Sequence, residues 1–184
     1  MLRAIIALTL AAFATLPAAA SSTVRRDIDP AGSKATFDVS HIYVERVTGT
    51  VPIVSGTVEL AEGSATPVSV TAVLDPTRIK SGDDDRDAAL QGPDWFDVKR
   101  FPTWTFASTR ITATSANAFA MEGILTIHGQ ARSERLAVTI GGTPARPVYH
   151  ATGAIDRHAF GMTVTRLDPV IGNPIDVALE VTLK

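Results

Sequence analysis

Phe119-Ala120-Met121-Glu122-Gly123-Ile124-Leu125-Thr126-Ile127 decides the fold, because Phe119, Met121, Gly123, Leu125 and Ile127 share one parity while Ala120, Glu122 and Thr126 share the other. A two-residue period places successive side chains on opposite faces of a strand, so this is a β-strand with one buried face. The same period recurs outward in both directions. Ala35-Thr36-Phe37-Asp38-Val39-Ser40-His41 sets Ala35, Phe37, Val39 and His41 against Thr36, Asp38 and Ser40. Val68-Ser69-Val70-Thr71-Ala72 repeats it, with Val70, Ala72 and Leu74 on the apolar face. Leu136, Val138 and Ile140 alternate with Ala137 and Thr139, and Ile175 to Leu183 alternates to the end.

Turn residues punctuate these runs at Ala61-Glu62-Gly63-Ser64, Ser115-Ala116-Asn117, Gly141-Gly142-Thr143-Pro144 and Ile171-Gly172-Asn173-Pro174. Many short strands with such punctuation predict an all-β, antiparallel sandwich or barrel. One stretch departs from the rhythm. Ser81 to Pro102 reads SGDDDRDAALQGPDWFDVKRFP. Asp83-Asp84-Asp85 stand as acidic caps before Arg86 to Gln91, and Gly92-Pro93 end the run, which predicts a helix of one or two turns. Asp94-Trp95-Phe96-Asp97 predicts a second short turn whose aromatic pair packs on the sheet. So long a loop is either a lid or plug, or a plain covering for an open barrel end.

The amino terminus is expected to lie outside this domain. Arg3, an apolar run from Ala4 to Leu16, Pro17 and Ala18-Ala19-Ala20 before Ser21 form the successive parts of a secretory signal peptide. Residues 1–20 are therefore read as a leader, and 21–184 as a single exported domain. The apolar run is shorter than the roughly 20 residues a spanning helix needs, so the protein is expected not to span a membrane.

Composition narrows the function classes. The chain has 17 basic and 19 acidic residues, a net charge of −2, and no cysteine. No basic nucleic-acid footprint exists in such a chain. Thiol chemistry, thiolate metal sites and disulfides are absent, so an exported domain of this size must be held by packing alone.

Catalytic motifs are weak. His41, His128, His150 and His158 show no HExxH or HxH spacing. His41 sits on the apolar parity and reads as a core histidine more readily than as a ligand or base. His128, beside Gly129, is expected at an exposed turn. The Asp83–Asp85 run lacks the spacing of a calcium loop and reads as a solvated helix cap. No metal or cofactor is called for.

Phe37, Val39, Val70, Leu74, Phe106, Phe119, Met121, Leu125, Phe160 and Met162 are the candidate interior. An eight-stranded barrel either fills with such side chains or holds one small ligand. Alternation does not choose between the two, although Ala35, Ala72 and Gly123 are small lining positions that favour space.

Several fragments occur together in a recognisable order: Ile28-Asp29-Pro30 with Ser33, Phe37-Asp38-Val39-Ser40-His41, Arg86-Asp87 before Leu90, and Asp94-Trp95-Phe96-Asp97-Val98. They continue with Phe101-Pro102-Thr103, Thr105-Phe106-Ala107-Ser108-Thr109, Gly123 to Gly129 and Ile155-Asp156-Arg157-His158-Ala159-Phe160-Gly161-Met162. With them the mature chain resembles the YceI-like family of exported bacterial proteins. That resemblance implies a lipocalin-like antiparallel barrel of about eight strands, a periplasmic location, a frequent homodimer, and a pocket for a long isoprenoid or isoprenoid quinone.

The family's Arg-Asp pair falls on Arg86-Asp87, its inward histidine on His41 and its late Asp-Arg on Asp156-Arg157. The chain departs from the family pattern at Gly32-Ser33, at Thr50 after Val47-Thr48-Gly49, and at Pro93-Asp94-Trp95-Phe96.

The expected function is that of a non-enzymatic carrier, with Arg86 or Trp95 of the lid meeting the lipid's polar end, and Phe96 beside them. Arg86, Asp87, Asp156 and Arg157 are expected to form ion pairs that fix the helix on the barrel. Two other readings stand beside it: a lipid hydrolase or isomerase using His41 and Asp87, and a packed, ligand-free scaffold that binds partners under stress.

Overall fold

The computed structural model describes residues 22–40, 46–143, 145–163 and 170–184. The leader expected over 1–20 and His41 lie outside the described residues.

Among the described residues, ten strands run in the order β1 (Thr23–Asp27), β2 (Lys34–Ser40), β3 (Arg46–Val51), β4 (Ile53–Ala61), β5 (Pro67–Leu74), β6 (Trp104–Ser115), β7 (Ala118–Ile127), β8 (Gln130–Thr143), β9 (Arg146–Ile155) and β10 (Ile175–Thr182). The helix α1 (Asp84–Gln91) interrupts them, with 3-10 turns at Pro76–Arg78 and Arg157–Phe160. All pairings between strands are antiparallel.

In space the sheet order is β1-β4-β5-β6-β7-β8-β9-β10-β2-β3. Ten segments replace the eight expected, and the reason is proline. β3 passes into β4 through Pro52 alone, and β1 reaches β2 past Pro30. Proline has no N–H to give a ladder, so each of two long strands is counted as two. The first half of residues 46–61 pairs with β2, and the second half pairs with β1 and β5. Because the segments at and near the two ends of the order are one chain, the sheet curls round on itself. A bridge between Ile28 and Leu183 adds a second join.

The inward parity follows the sequence closely along β7, where Phe119, Met121, Leu125 and Ile127 are all buried. Their hairpin to β8 turns on His128 and Gly129, both at positive φ (52° and 71°). That is the backbone a two-residue hairpin requires. His128 is half-buried rather than exposed. Its ring lies edge-on to Phe101 with centroids 5.1 Å apart, and its Nδ1 is 3.3 Å from the Phe160 carbonyl oxygen.

β5 shows where strict alternation breaks. Val68 is 51% exposed, while Pro67 and Val70 are buried. The β4–β5 register slips between Glu59 and Leu60. A bulge there inserts one residue and turns Val68 outward.

α1 forms as expected. The Asp83 side chain accepts the Arg86 N–H at 2.9 Å, and the acidic first turn suits the positive end of the helix dipole. The following turn sets Phe96 edge-on against Trp104, with centroids 4.6 Å apart and rings at 69°.

Candidate functional site

Inside the curl lie two apolar chambers. Chamber 1, about 140 Å³, is walled by strands from every part of the sheet, including Val70, Leu74, Phe106, Phe119, Met121 and Leu125. Chamber 2, about 320 Å³, is walled by Val39, Met162, Ile171 and Ile175 together with Arg86, Leu90, Trp95 and Phe96 from α1 and its turn. One water-sized sphere occupies about 10–15 Å³ on such a measure, so both spaces have room for many atoms. Phe37, Trp104, Ile127, Ile155 and Val177 line both chambers. They form a shared partition, so the two spaces are neighbours within the curl. The long loop is therefore a wall of chamber 2.

Twelve of the fifteen residues singled out by sequence stand on these walls. The other three are Phe160, His41 and Asp87. Phe160 is 0% exposed but lines neither chamber, because it is the last residue of the 3-10 turn and packs into the core behind the partition. His41 lies outside the described residues, as stated.

Asp87 does not reach either lining, because its carboxylate is spent elsewhere. Asp87 Oδ1 accepts the Ser81 N–H at 2.7 Å and the Ser81 hydroxyl at 2.6 Å, and Oδ2 faces the Lys80 ammonium at 3.2 Å.

 Of the fifteen, then, His41, Asp87 and Phe160 contribute no described side chain to either lining.

Of the ion pairs expected of Arg86, Asp87, Asp156 and Arg157, the described residues show one at Asp87, with Lys80. Arg86 and Asp87 meet on Ser81 rather than on each other, since Arg86 gives Nε to the Ser81 hydroxyl at 2.9 Å and Nη2 to its carbonyl at 2.7 Å. Hydrogen bonds from Ser81, helped by Lys80, outweigh burial and hold the Asp87 carboxyl below the usual carboxylate range. Arg157, 2% exposed, donates to the carbonyls of Met162 at 2.7 Å and Ile171 at 2.9 Å. Asp156 accepts from Asn173 Nδ2 at 2.8 Å, and that bond leads those keeping its carboxyl low.

Sequence reasoning missed Trp104, the most consequential member of the partition. It shares parity with Phe106, so the alternation of Trp104, Phe106 and Ser108 carried the signal. It also missed Glu134, which turns inward on β8 and lines chamber 1. Burial pushes the Glu134 carboxyl up, and the negative charge of Asp156 adds to the shift.

Gly123 does not leave the space its size suggested. The Phe106 ring lies over it, and a Cβ there would overlap that ring. Phe37 covers Gly49 in the same way.

These features define a class: an antiparallel β-barrel with an apolar interior partly covered by a helical lid. The YceI-like domain model matches residues 27–183, and the chain belongs to that family. Among curated relatives, a UPF0312 protein of Vibrio vulnificus is 28% identical over 149 residues, covering 80% of this chain and 78% of its own. A UPF0312 protein of Pseudomonas putida is 27% identical over 159 residues, covering 81% and 82%. Among solved structures, Burkholderia cenocepacia BcnA superposes with a TM-score of 0.76 at 23% identity, covering 85% of this chain and 99% of its own. A polyisoprenoid binding domain from Saccharophagus degradans, implicated in plant cell wall breakdown, gives a TM-score of 0.66 at 15% identity, covering 86% and 97%. At those identities the two structures speak for the fold.

Proposed function

We propose that this protein is a periplasmic carrier that holds a long apolar lipid, a polyisoprenoid or isoprenoid quinone, along its two chambers. The observation that carries the reading is the shared partition of Phe37, Trp104, Ile127, Ile155 and Val177, which sets the two apolar chambers side by side inside the curl. Burying a chain there gains about 25 cal/mol per Å² of apolar surface and needs almost no directional chemistry. A long, thin, flexible hydrocarbon fits that shape better than a compact ligand. The polyisoprenoid-binding neighbour of the same fold supports the same class of ligand. The leader read over residues 1–20 supports export. Among the described residues, no helix is long and apolar enough to cross a membrane.

Binding is favoured over catalysis by the state of Asp87. A general base must reach its substrate, and the Asp87 carboxylate is bound to Ser81 and Lys80 outside both linings.

The test is native mass spectrometry of protein purified from a bacterial periplasm, followed by organic extraction and identification of what leaves. A stoichiometric long-chain isoprenoid or quinone is the expected result. Empty protein that also takes up no added prenyl lipid overturns the reading in favour of a ligand-free scaffold.

A further inference from the structure

Two ends of chamber 1 are obstructed. Toward the lid stands the partition with chamber 2. At the other end Tyr149 on β9 spans the barrel, its hydroxyl donating to the Ala65 carbonyl in the β4–β5 turn at 2.9 Å. Beside it Arg26 on β1 donates to the Ala145 carbonyl in the β8–β9 turn at 3.2 Å.

The side wall is different, because β8 and β9 part company. Their ladder runs from Thr143 and Arg146 to Ala137 and Thr152 and stops there. Beyond that point β9 follows β10 as far as Ile155, while residues 130–136 of β8 keep β7 alone. The gap begins at Gly153, where a Cβ would lie 2.7 Å from Leu136 Cδ2. It ends at the β7–β8 turn, where His128 Nδ1 is 3.3 Å from the Phe160 carbonyl oxygen. Asp156 and the 3-10 turn Arg157–Phe160 form its far lip.

Exposure along β8 marks this gap as open to water. On the inward parity Val138 is buried, Leu136 and Glu134 are half-buried, and Arg132 and Gln130 are exposed. Their partners on β7, among them Met121, Leu125 and Ile127, stay buried. A strand that is wet on its inward face beside a dry neighbour has lost its wall on the other side. Chamber 1 reaches both lips, touching Glu134 and Leu136 on β8 and Ala154 and Ile155 on β9. Burial, and after it the charge of Asp156, push the Glu134 carboxyl up, so the two lips carry carboxylates within electrostatic reach of each other. Like charges resist closure of the gap by packing one lip on the other.

We propose that this gap is the port of chamber 1, through which an isoprenoid-type chain threads sideways between β8 and the 3-10 turn. The assignment rests on the carrier reading and adds the route. Parting an intact ladder breaks hydrogen bonds worth about 1 kcal/mol each. Below Ala137 no ladder joins β8 to β9, so a thin apolar chain passes without that cost.

The chain has no cysteine, so one can be placed at will. Arg132→Cys sits on the β8 lip, and Ala88→Cys on the exposed face of α1 serves as the comparison. Each full mature protein is capped with a bulky methanethiosulfonate reagent, which a thiol reductant later removes. Uptake and release of geranylgeraniol are followed by stopped-flow fluorescence of Trp95 and Trp104, both of which wall the chambers. The cap on residue 132 is expected to slow uptake and release together by about tenfold, with affinity kept within about twofold, because a gate acts on both directions. Reduction should restore both rates in the same sample, and the cap on residue 88 should change neither. Unchanged rates with residue 132 capped overturn the port and leave the carrier reading intact. Equal slowing from residue 88, or rates that stay slow after reduction, overturn it too. If geranylgeraniol binds none of the uncapped proteins, the carrier reading itself falls, and the port with it.

Discussion

Phe106 on β6 lays its ring over Gly123 on β7, in the position a Cβ at residue 123 would take. The pair is diagonal, two residues off register, since Phe106 is directly opposite Leu125. The glycine is thus a socket, and the aromatic ring that fills it remains part of the chamber 1 wall. A side chain at residue 123 would have to move that ring or the backbone carbonyl of Ala107 beside it.

Gly123→Ala is expected to lower stability by about 1–3 kcal/mol, the usual cost of overpacking. Adding Phe106→Leu should recover part of that loss, since residues in contact couple. Urea unfolding of the two single variants and the double variant measures it. Additive losses would mean that the ring is not what residue 123 meets.

Ala72 lines chamber 1 opposite Phe106 in the β5–β6 ladder. Ala72→Phe should occupy part of that chamber and shorten the longest prenyl chain retained, while short chains still bind in chamber 2. A series of prenyl alcohols of increasing length, followed by native mass spectrometry, shows the cut-off. An unchanged cut-off would remove chamber 1 from the ligand path.

Trp104 Nε1 is buried and has no hydrogen-bond partner among the described residues. A buried donor left unpaired carries a penalty of about 1–3 kcal/mol. Trp104→Phe should therefore be cheaper than an ordinary large-to-small core change, because removing the N–H offsets part of the lost packing. Chemical denaturation beside Phe106→Leu makes the comparison. A much larger loss for Trp104→Phe would show that the indole N–H is satisfied in solution.

Acid should loosen the lid. Ser81 holds the Asp87 carboxyl below its ordinary range, and Asn173 does the same for Asp156. A depressed pKa contributes stability that is present above the unfolded value, near 4, and is lost as pH falls through the folded value. Stability measured from pH 7 downward should fall below about pH 4, and Asp87→Asn should flatten that fall while lowering the midpoint at neutral pH. An identical acid profile in the variant would exclude Asp87 as its source.

Tyr149 tests the opposite sign. Burial pushes its phenol up to about 12, against a smaller lowering by Arg26, and its hydroxyl donates to the Ala65 carbonyl at 2.9 Å. A raised pKa contributes stability present below the unfolded value and lost as pH rises through the folded one. Tyr43→Phe leaves Tyr149 as the single tyrosine. Its ultraviolet ionisation is then expected at about 12. Ionisation near 10 would place the phenol in water.

The sequence by itself determined the strands, the two-turn helix and most of the interior, because a two-residue period and capping chemistry are local properties of a chain. Phe119 to Ile127 could be read inward without any partner strand. Only the tertiary structure decided the rest. Pro52 divides a strand yet joins the two sides of the sheet, a consequence of pairing that lies far apart in sequence. The bulge that turns Val68 outward depends on the register with β4. Whether Gly123 is a void depended on where Phe106 leans, and whether Asp87 faces a ligand depended on Ser81 and Lys80. Trp104 is a partition because strands, lid and helix converge on it. Space inside a barrel is what packing leaves over, and packing is set by contacts between residues that the linear pattern does not bring together.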